Sequence, residues 1–371
     1  MRRTALALLK ALAAFAVAVS VAASFATSVA AAAPTAQPPD PAAQLQRLAL
    51  PGGAGDLPFY VAAVPAQTIP QTAAVPVQAF IAVHGYPRDA QATLRIVQAA
   101  VAKAAQAAGG KPPLIVAPIF PVTAQDAPRC RTPGEPEALS GDAQWRCGGW
   151  LAGSRSLGGI PPSHGISSLA ALDALVAHLA RQWPSLRRIT LVGFSGGAQL
   201  LQRHAALAAQ APDGVTLRWV IASPGSWLYF DAWRPDLGHV SGQVSGDDAA
   251  CPRFNHWKYG LEGLPGLPDH LAGRDPRDQY RHASIAYLAG SLDSGPGPGT
   301  ADARLDHGCE AQRQGPYRLQ RAQGYQAYTR QVLRPLTPQP LTVVPGCAHS
   351  AACVLGSDQA KSVLFAADPP H

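Results

Sequence analysis

The chain has 371 residues, a formal net charge of +7, and charged side chains at 14% of its positions. This length is enough for one large domain with insertions or for two small domains. The lysines and arginines are scattered rather than gathered into basic runs, which argues against a nucleic-acid-binding protein. We therefore expect a mildly basic protein without a nucleic-acid partner.

The first 30 residues have the pattern of a secretory signal peptide. Three basic residues, Arg2, Arg3 and Lys10, lead into an apolar stretch that ends in a small-x-small sequence at residues 28–30. We predict cleavage there and a secreted or periplasmic protein without stable membrane insertion, whose net charge falls from +7 to +4 once the three basic residues are removed. An uncleaved membrane anchor is the alternative, because about 20 apolar residues can span a bilayer.

Residues 31–45 are rich in proline and alanine and are predicted to be a linker, followed by one folded domain over residues 46–371. Short apolar runs predict strands at residues 79–83, 114–117, 189–192, 219–222, 285–289 and 341–344. Amphipathic stretches predict helices from Asp89 to Gly109, from Ser168 to Trp183, after residue 197, and from Pro316 onwards. This alternation predicts an α/β fold with a mainly parallel sheet flanked by helices.

Two segments, at about residues 121–165 and 225–282, do not fit the alternation and are rich in glycine, proline, cysteine and aromatic residues. We predict that they are loop insertions over the carboxyl edge of the sheet. The second insertion contains Trp227, Tyr229 and Trp257, whose rings are candidates for the wall of a substrate pocket. A small secondary core that attaches the insertion to the sheet explains these residues equally well.

Residues 193–197 read Gly-Phe-Ser-Gly-Gly and lie between the predicted strand at 189–192 and a helical stretch. A serine between glycines on a sharp strand-to-helix turn resembles the nucleophile elbow of the α/β-hydrolase superfamily. The resemblance covers roughly residues 75–365, and the overall pattern is similar to secreted bacterial serine esterases. It implies that Ser195 is the nucleophile.

A serine hydroxyl needs a neighbouring base, and the base needs an acid that orients it. In α/β-hydrolases the chain order is serine, acid, histidine, with the last two on loops after later strands. The resemblance therefore implies that His349, after the strand at 341–344, is the base and that Asp293, after the strand at 285–289, is the acid. Asp306, in the same long loop, is the alternative acid.

The superfamily also binds the reaction's oxyanion with two backbone N–H groups. One belongs to the residue after the nucleophile, which is Gly196 here. The other belongs to the loop after an early strand, where this chain has His84, Gly85 and Tyr86. The resemblance implies that Tyr86 supplies this second donor and that His84 shapes the loop.

An even number of cysteines in an exported chain favours disulfide bonds. The six cysteines allow many pairings, and we favour three on sequence proximity and on the loops that such a fold brings together. These pairs are Cys130 with Cys147, Cys251 with Cys309, and Cys347 with Cys353. No typical zinc-ligand spacing occurs in the sequence, so we expect no metal site.

Together these features predict a secreted serine hydrolase that cleaves carboxylic esters through an acyl-enzyme without metal or cofactor. Its substrate would be a small-molecule or polymeric ester. A peptidase or a polyester depolymerase with the same three residues is one alternative, and a non-catalytic binding protein on a hydrolase scaffold is another. The acyl and alcohol groups of the substrate and the oligomeric state are left open.

Overall fold

A computed structural model describes residues 43–62, 76–108, 113–157, 165–235, 243–244, 249–264 and 274–365. The predicted signal peptide lies outside the described residues, as does the predicted linker up to residue 42. The first described strand begins at Ala43, so residues 43–45 of the predicted linker are already part of the folded domain.

The described strands are β1 (Ala43–Ala49), β2 (Asp56–Ala62), β3 (Gln78–Val83), β4 (Leu114–Pro118), β5 (Arg188–Phe194), β6 (Thr216–Ala222), β7 (Trp233–Arg234), β8 (Gln243–Val244), β9 (Ser284–Gly290) and β10 (Leu341–Val344). Within the described residues, eight strands form one sheet in the order β1-β2-β4-β3-β5-β6-β9-β10. The pairs β1–β2 and β2–β4 are antiparallel, and every other pair in this sheet is parallel. The predicted fold class is confirmed.

The described helices are α1 (Ala90–Ala108), α2 (Ala127–Cys130), α3 (Ser168–Gln182), α4 (Gly196–Leu207), α5 (Pro276–His282), α6 (Cys309–Gln312), α7 (Arg318–Tyr328), α8 (Ala351–Leu355) and α9 (Asp358–Leu364). None of them is both long and apolar enough to cross a membrane. The predicted start of α3 at Ser168 is confirmed, although its cap is Ser167, whose Oγ accepts from Ala170 N, and not Ser168. The start predicted at Pro316 is wrong by two residues, because the backbone of Tyr317 is still extended and α7 begins at Arg318.

The sheet is covered on both faces because successive strand residues point to opposite sides. In β5, Ile189 and Leu191 pack into the core that contains α3 and α4. Val192 and Phe194 pack instead into the core that contains α1, α8 and α9. The apolar run of β5 is therefore buried on both faces, as expected for a central parallel strand.

All three predicted disulfides are present: Cys130–Cys147, Cys251–Cys309 and Cys347–Cys353. The described residues contain no free cysteine. The first bridge lies in the first insertion, the second joins the second insertion to α6, and the third follows β10.

Candidate active site

Ser195 lies on the turn between β5 and α4 with φ 55° and ψ −112°. These angles are unfavourable for a non-glycine residue and mark a backbone held by its surroundings. The Ser195 N–H donates to the carbonyl of Ala222 on the neighbouring strand at 2.9 Å. The turn therefore presents the serine side chain at the carboxyl end of the central strands.

The glycines on either side of Ser195 allow backbone contacts that no side chain would permit. A Cβ on Gly197 would lie 2.3 Å from the carbonyl oxygen of Val83, and one on Gly193 would lie 2.6 Å from the carbonyl carbon of Gly197. Both distances are shorter than van der Waals contact. The glycine pattern seen in the sequence is thus required by the close approach of α4 to β3 and β5.

The loops after β9 and β10 bring Asp293 and His349 to Ser195. His349 Nε2 lies 2.9 Å from Ser195 Oγ, and His349 Nδ1 lies 2.7 Å from Asp293 Oδ2. Because the carboxylate accepts the Nδ1 proton, Nε2 is left free to accept the serine hydroxyl proton. The side chains of His349 and Asp293 are 7% and 2% exposed, so this chain of hydrogen bonds is largely shielded from water.

The pKa of His349 is held below its ordinary value of 6.5, mainly because burial disfavours the charged imidazolium. The hydrogen bond to Asp293 raises the pKa, and the positive charges of Arg318 and Arg304 lower it. The imidazole is therefore neutral near pH 7, which is the form that a general base needs.

Asp293 is itself held by α7, through contacts that no sequence pattern indicates. Arg318 Nη1 lies 3.3 Å from Asp293 Oδ1 and donates to the carbonyl of Thr300 at 2.7 Å. The backbone N–H of Leu319 donates to the carbonyl of Asp293 at 3.0 Å. The start of α7 thus holds both the carboxylate and the backbone of Asp293.

Asp306, the alternative acid, makes different contacts. It accepts from Lys258 Nζ at 3.1 Å and from the Tyr259 hydroxyl at 2.5 Å. Burial alone would raise its pKa, but the charge of Lys258 and the Tyr259 hydroxyl outweigh burial and hold the pKa below its ordinary value. Asp306 therefore anchors the second insertion beside the site, and the geometry assigns the contact with His349 to Asp293.

The loop that carries Tyr86 lies against Gly196, the first residue of α4. A Cβ built on Gly196 would be only 3.0 Å from Tyr86 N. Both residues line the same cavity as Ser195. The backbone amides of Tyr86 and Gly196 are therefore candidates for binding one oxyanion.

His84 is buried behind these amides. Its Nδ1 lies 2.8 Å from the carbonyl of Gly85, and its Nε2 accepts from the backbone N–H of Phe120 at 3.2 Å. Burial, aided by the charge of Arg88, lowers the pKa of His84 to about 3. The imidazole is therefore neutral and fully engaged, so it shapes the loop and takes no part in proton transfer.

Arg88 joins the loop that carries Tyr86 to the first insertion, another contact that the sequence analysis missed. Its guanidinium is buried and donates to the carbonyls of Phe120 at 2.7 Å and Cys130 at 3.1 Å. The same side chain reaches the carbonyl of Arg146 at 3.2 Å. All of these acceptors are backbone carbonyls of segments distant from Arg88 in the sequence. No local sequence pattern therefore indicates the contact.

The predicted aromatic pocket wall is corrected by the structure. Trp227 and Tyr229 are fully buried and pack against Tyr325 in the core, with a stacked Trp227–Tyr325 pair at 4.4 Å between ring centroids. Trp257 packs against the same core and donates from Nε1 to the carbonyl of Ala152 at 2.8 Å. The rings fill the space between the second insertion, α4 and α7, where apolar area is better buried than exposed.

The cavity at Ser195 has a volume of about 330 Å³. Both insertions contribute to it, through Gly148 and Leu151 from the first and Lys258 from the second. Its lining includes the charged and polar residues Asp89, Gln199, Lys258, Arg304, Asp306, Arg318 and His349, together with the apolar residues Leu151 and Phe194. The lining is therefore mixed, and Trp227, Tyr229 and Trp257 are not part of it.

Clusters of metal-ligating side chains are scarce in the described part of the chain. One group of three such residues occurs there, made of Cys251, Cys309 and Glu310. Two of its members are joined as a disulfide, so they offer no thiolate to a metal.

Two solved structures are similar to this chain over most of its length. Poly(aspartic acid) hydrolase-1 from Sphingomonas sp. KT-1 matches with a TM-score of 0.55 and 20% sequence identity, covering 88% of this chain and 99% of that one. LpqC, a poly(3-hydroxybutyrate) depolymerase from Bordetella parapertussis, matches with a TM-score of 0.53 and 20% identity, covering 88% of this chain and 92% of that one. No protein-family model matches the sequence, and no curated protein does.

These likenesses concern the fold, since one residue in five is identical. They agree with the mostly parallel eight-stranded sheet and with the strand–turn–helix unit around Ser195. The chain therefore has the fold of the α/β-hydrolase superfamily.

Proposed function

We propose that this protein is a serine hydrolase that cleaves carboxylic esters through an acyl-enzyme. The observation that carries the proposal is the continuous hydrogen-bond chain from Ser195 Oγ through His349 to Asp293, at 2.9 Å and 2.7 Å. The Tyr86 and Gly196 amides lie in the same cavity, which supports a role in charge stabilisation.

In the first half-reaction, Ser195 Oγ attacks the ester carbonyl carbon while His349 Nε2 takes the hydroxyl proton. The negative charge that develops on the carbonyl oxygen is bound by the two amides. Asp293 stabilises the imidazolium that forms. His349 then donates its proton to the leaving alkoxide, and the acyl group stays on Ser195.

In the second half-reaction, water replaces the alcohol. His349 takes a proton from the water, whose oxygen attacks the acyl carbon and again places charge on the oxygen between Tyr86 and Gly196. Collapse of this intermediate breaks the bond to Ser195 Oγ, which regains its proton from His349. The products are a carboxylic acid and the free serine enzyme.

Replacement of Ser195 by alanine tests the proposal. The variant should lose at least about 10⁴-fold in kcat on 4-nitrophenyl acetate, because the nucleophile is missing while the oxyanion donors remain. Circular dichroism and thermal unfolding should match the wild type. Equal turnover by a well-folded variant would overturn the proposal.

A polymeric substrate is a second candidate, because the two similar structures reported above, among others that match, are named as polymer hydrolases. A cavity of about 330 Å³ holds one or two units of such a polymer, so the rest of the chain would lie outside it. Release of soluble product from polyester and polyamide films, compared with short esters and amides, separates the candidates. Faster normalised release from a film than from every short ester would favour a depolymerase.

We further propose that the protein is exported. Three disulfides support this, since such bonds persist mainly in oxidising compartments. The mature N-terminus of protein recovered from the medium or periplasm should begin shortly after residue 30. Recovery of the full-length chain from the membrane fraction would favour the uncleaved anchor.

A further inference from the structure

The cationic residues around Ser195 differ in whether they form ion pairs. Lys258 makes an ion pair with Asp306 at 3.1 Å, and Arg318 pairs with Asp293 at 3.3 Å. Arg304 also lines the cavity and is exposed. Within the described part of the chain, its guanidinium makes no ion pair and no hydrogen bond, so its charge is uncompensated there.

The backbone that carries Arg304 is held rigidly, so its position in the cavity is defined. Arg304 N donates to the carbonyl of Ala301 at 3.0 Å, and Leu305 beside it is buried. Arg318 donates to the carbonyls of Thr300 and Ala301 at 2.7 Å and 3.4 Å. Because the turn is already fixed, only the side-chain rotamers of Arg304 remain to be ordered when a ligand binds.

This turn lies against the loop of the catalytic base. His349 N donates to the carbonyl of Gly299 at 2.9 Å. The same cavity contains Asp89, whose Oδ1 accepts from Gly85 N in the loop that carries Tyr86, at 3.2 Å. The cavity is therefore polarised, with a carboxylate near the oxyanion loop and an unpaired guanidinium near His349.

The proposed reaction places the leaving alcohol and the acyl group of the ester in different parts of this polarised cavity. The polarity therefore predicts a substrate preference. His349 protonates the leaving group, so the alcohol part of the ester must lie on the His349 side. We propose that Arg304 binds a carboxylate on the leaving alcohol, so that the preferred substrates are esters of hydroxy acids. This inference rests on the proposed function and adds the substrate class to it.

A carboxylate suits the site better than a dianion. The planar guanidinium fork matches the two carboxylate oxygens. One negative charge neutralises the one uncompensated cation, whereas a phosphate monoester would bring a second charge toward Asp89 and Asp306. The free end of an oligomer of hydroxy acids carries such a group on its leaving alcohol.

Two matched ester pairs test the inference. In the first pair, 3-acetoxybenzoate and 3-acetoxybenzamide, the charge difference lies on the leaving group. In the second, phenyl hydrogen terephthalate and phenyl 4-carbamoylbenzoate, it lies on the acyl group. Each kcat/KM is divided by the rate constant for hydroxide-catalysed hydrolysis, and the ratio of acid to amide is compared among variants. A substitution that changes catalysis in general affects the acid and the amide equally, so it leaves the acid-to-amide ratio unchanged.

In the wild type we expect a ratio of about 10 for the leaving-group pair, from one charge-assisted hydrogen-bonded contact. It should fall to about 1 in Arg304→Gln, be partly kept in Arg304→Lys, and be unchanged in Arg330→Gln, which removes an exposed arginine outside the cavity. The acyl-group ratio should not depend on Arg304. The leaving-group preference should also weaken in high salt because Arg304 is exposed.

An unchanged leaving-group ratio in Arg304→Gln would overturn the inference while leaving the proposed function intact. A preference for the acyl-side acid that disappears in Arg304→Gln would place the carboxylate on the wrong part of the substrate and overturn it too. Failure of the wild type to hydrolyse any of the four esters would instead count against the proposed function, and the inference would fall with it.

Discussion

Asp293 and Asp306 differ in what surrounds them, and this decides which one can orient His349. Asp293 is 1% exposed and shares its carboxylate between His349 and Arg318. Asp306 accepts from Lys258 and Tyr259. From the sequence the two were candidates for the same role, because position in a loop does not fix the direction of a side chain.

The Asp293→Asn variant should lose about 10⁴-fold in kcat: with the amide oxygen facing Arg318, the amide NH2 faces His349, donates to Nδ1 and stabilises the wrong tautomer of the imidazole. Asp306→Asn, which loses a partly exposed ion pair, should lose no more than about tenfold. Steady-state kinetics on 4-nitrophenyl acetate compares the two. A larger loss of kcat in Asp306→Asn than in Asp293→Asn would show that Asp306, and not Asp293, orients His349.

The pH profile of kcat/KM should rise with pH and level off, because only neutral His349 accepts the Ser195 proton. Its midpoint should lie below 6.5, since burial holds the pKa of His349 below that ordinary value. His307→Gln is the matched control, because His307 is exposed and pairs with Asp302 rather than with the site. A midpoint above 6.5, or one that moves in the control, would contradict the assignment.

At the scale of elements, the parallel strands were predictable and the two antiparallel strands at one end of the sheet were not. Each predicted strand of the parallel region is present, and residues 341–344 have the observed bounds. Strands β1 and β2 were missed, because β1 mixes leucines with glutamine and arginine and β2 contains Pro58. β1 is also an edge strand that is largely open to water, so it lacks the continuous apolar run that marks a buried strand.

The loop after β10 is the element on which the site depends most directly. The disulfide Cys347–Cys353 encloses His349, and the His349 amide is tied to Gly299. Replacing both cysteines with serine should lower kcat by about 10- to 100-fold, since a small displacement of a catalytic base is costly. Thermal unfolding should change modestly because the enclosed loop is short.

The pair Cys251–Cys309 is the matched control for this element. It joins residues 58 apart in sequence, so its removal should lower the melting temperature more than removal of Cys347–Cys353. The loss in kcat should be smaller, because this bridge does not enclose a residue of the hydrogen-bond chain. An equal loss of kcat in both double variants would show that the bridge around His349 matters no more for catalysis than the bridge Cys251–Cys309.

At the scale of the whole molecule, buried polar groups join elements that are distant in sequence, and these are what the sequence could not show. Arg318 is an example, since its partner Asp293 is 25 residues away. The place of an aromatic ring such as Trp227 was equally hidden, because its residue type fits both a pocket wall and the core where it lies. The three residues of the proposed mechanism were predictable because the chemistry fixes their types and order, whereas their supports could be almost any polar residue.

Glu135 links the first insertion to two other elements and should make global stability depend on pH. Its carboxylate is buried, accepts from Gln91 N at 2.8 Å and from the Tyr60 hydroxyl at 3.3 Å, and burial raises its pKa to about 7. The folded state therefore holds a proton that the unfolded state has already released. Its contribution to stability is fully present below the ordinary pKa of 4.5 and is lost as pH rises through 7.

Glu135→Gln removes this titration and keeps a group of similar shape. The melting temperature of the variant minus that of the wild type should increase between pH 5 and pH 8, corresponding to a change in unfolding free energy of about 3 kcal/mol. Differential scanning calorimetry of both proteins at both pH values gives this difference. The effects of the other titrating groups cancel, because both proteins contain them. A difference that is the same at both pH values would show that Glu135 does not titrate there.

Covalent labelling separates a serine nucleophile activated by His349 from an unreactive serine at position 195. The protein is treated with a fluorophosphonate, digested, and mapped by peptide mass. We expect one phosphonyl group, located on Ser195, and at least about 10³-fold slower labelling in His349→Ala, because the base that activates the hydroxyl is absent. A folded protein that stays unlabelled, or that is labelled at another residue, would contradict the account.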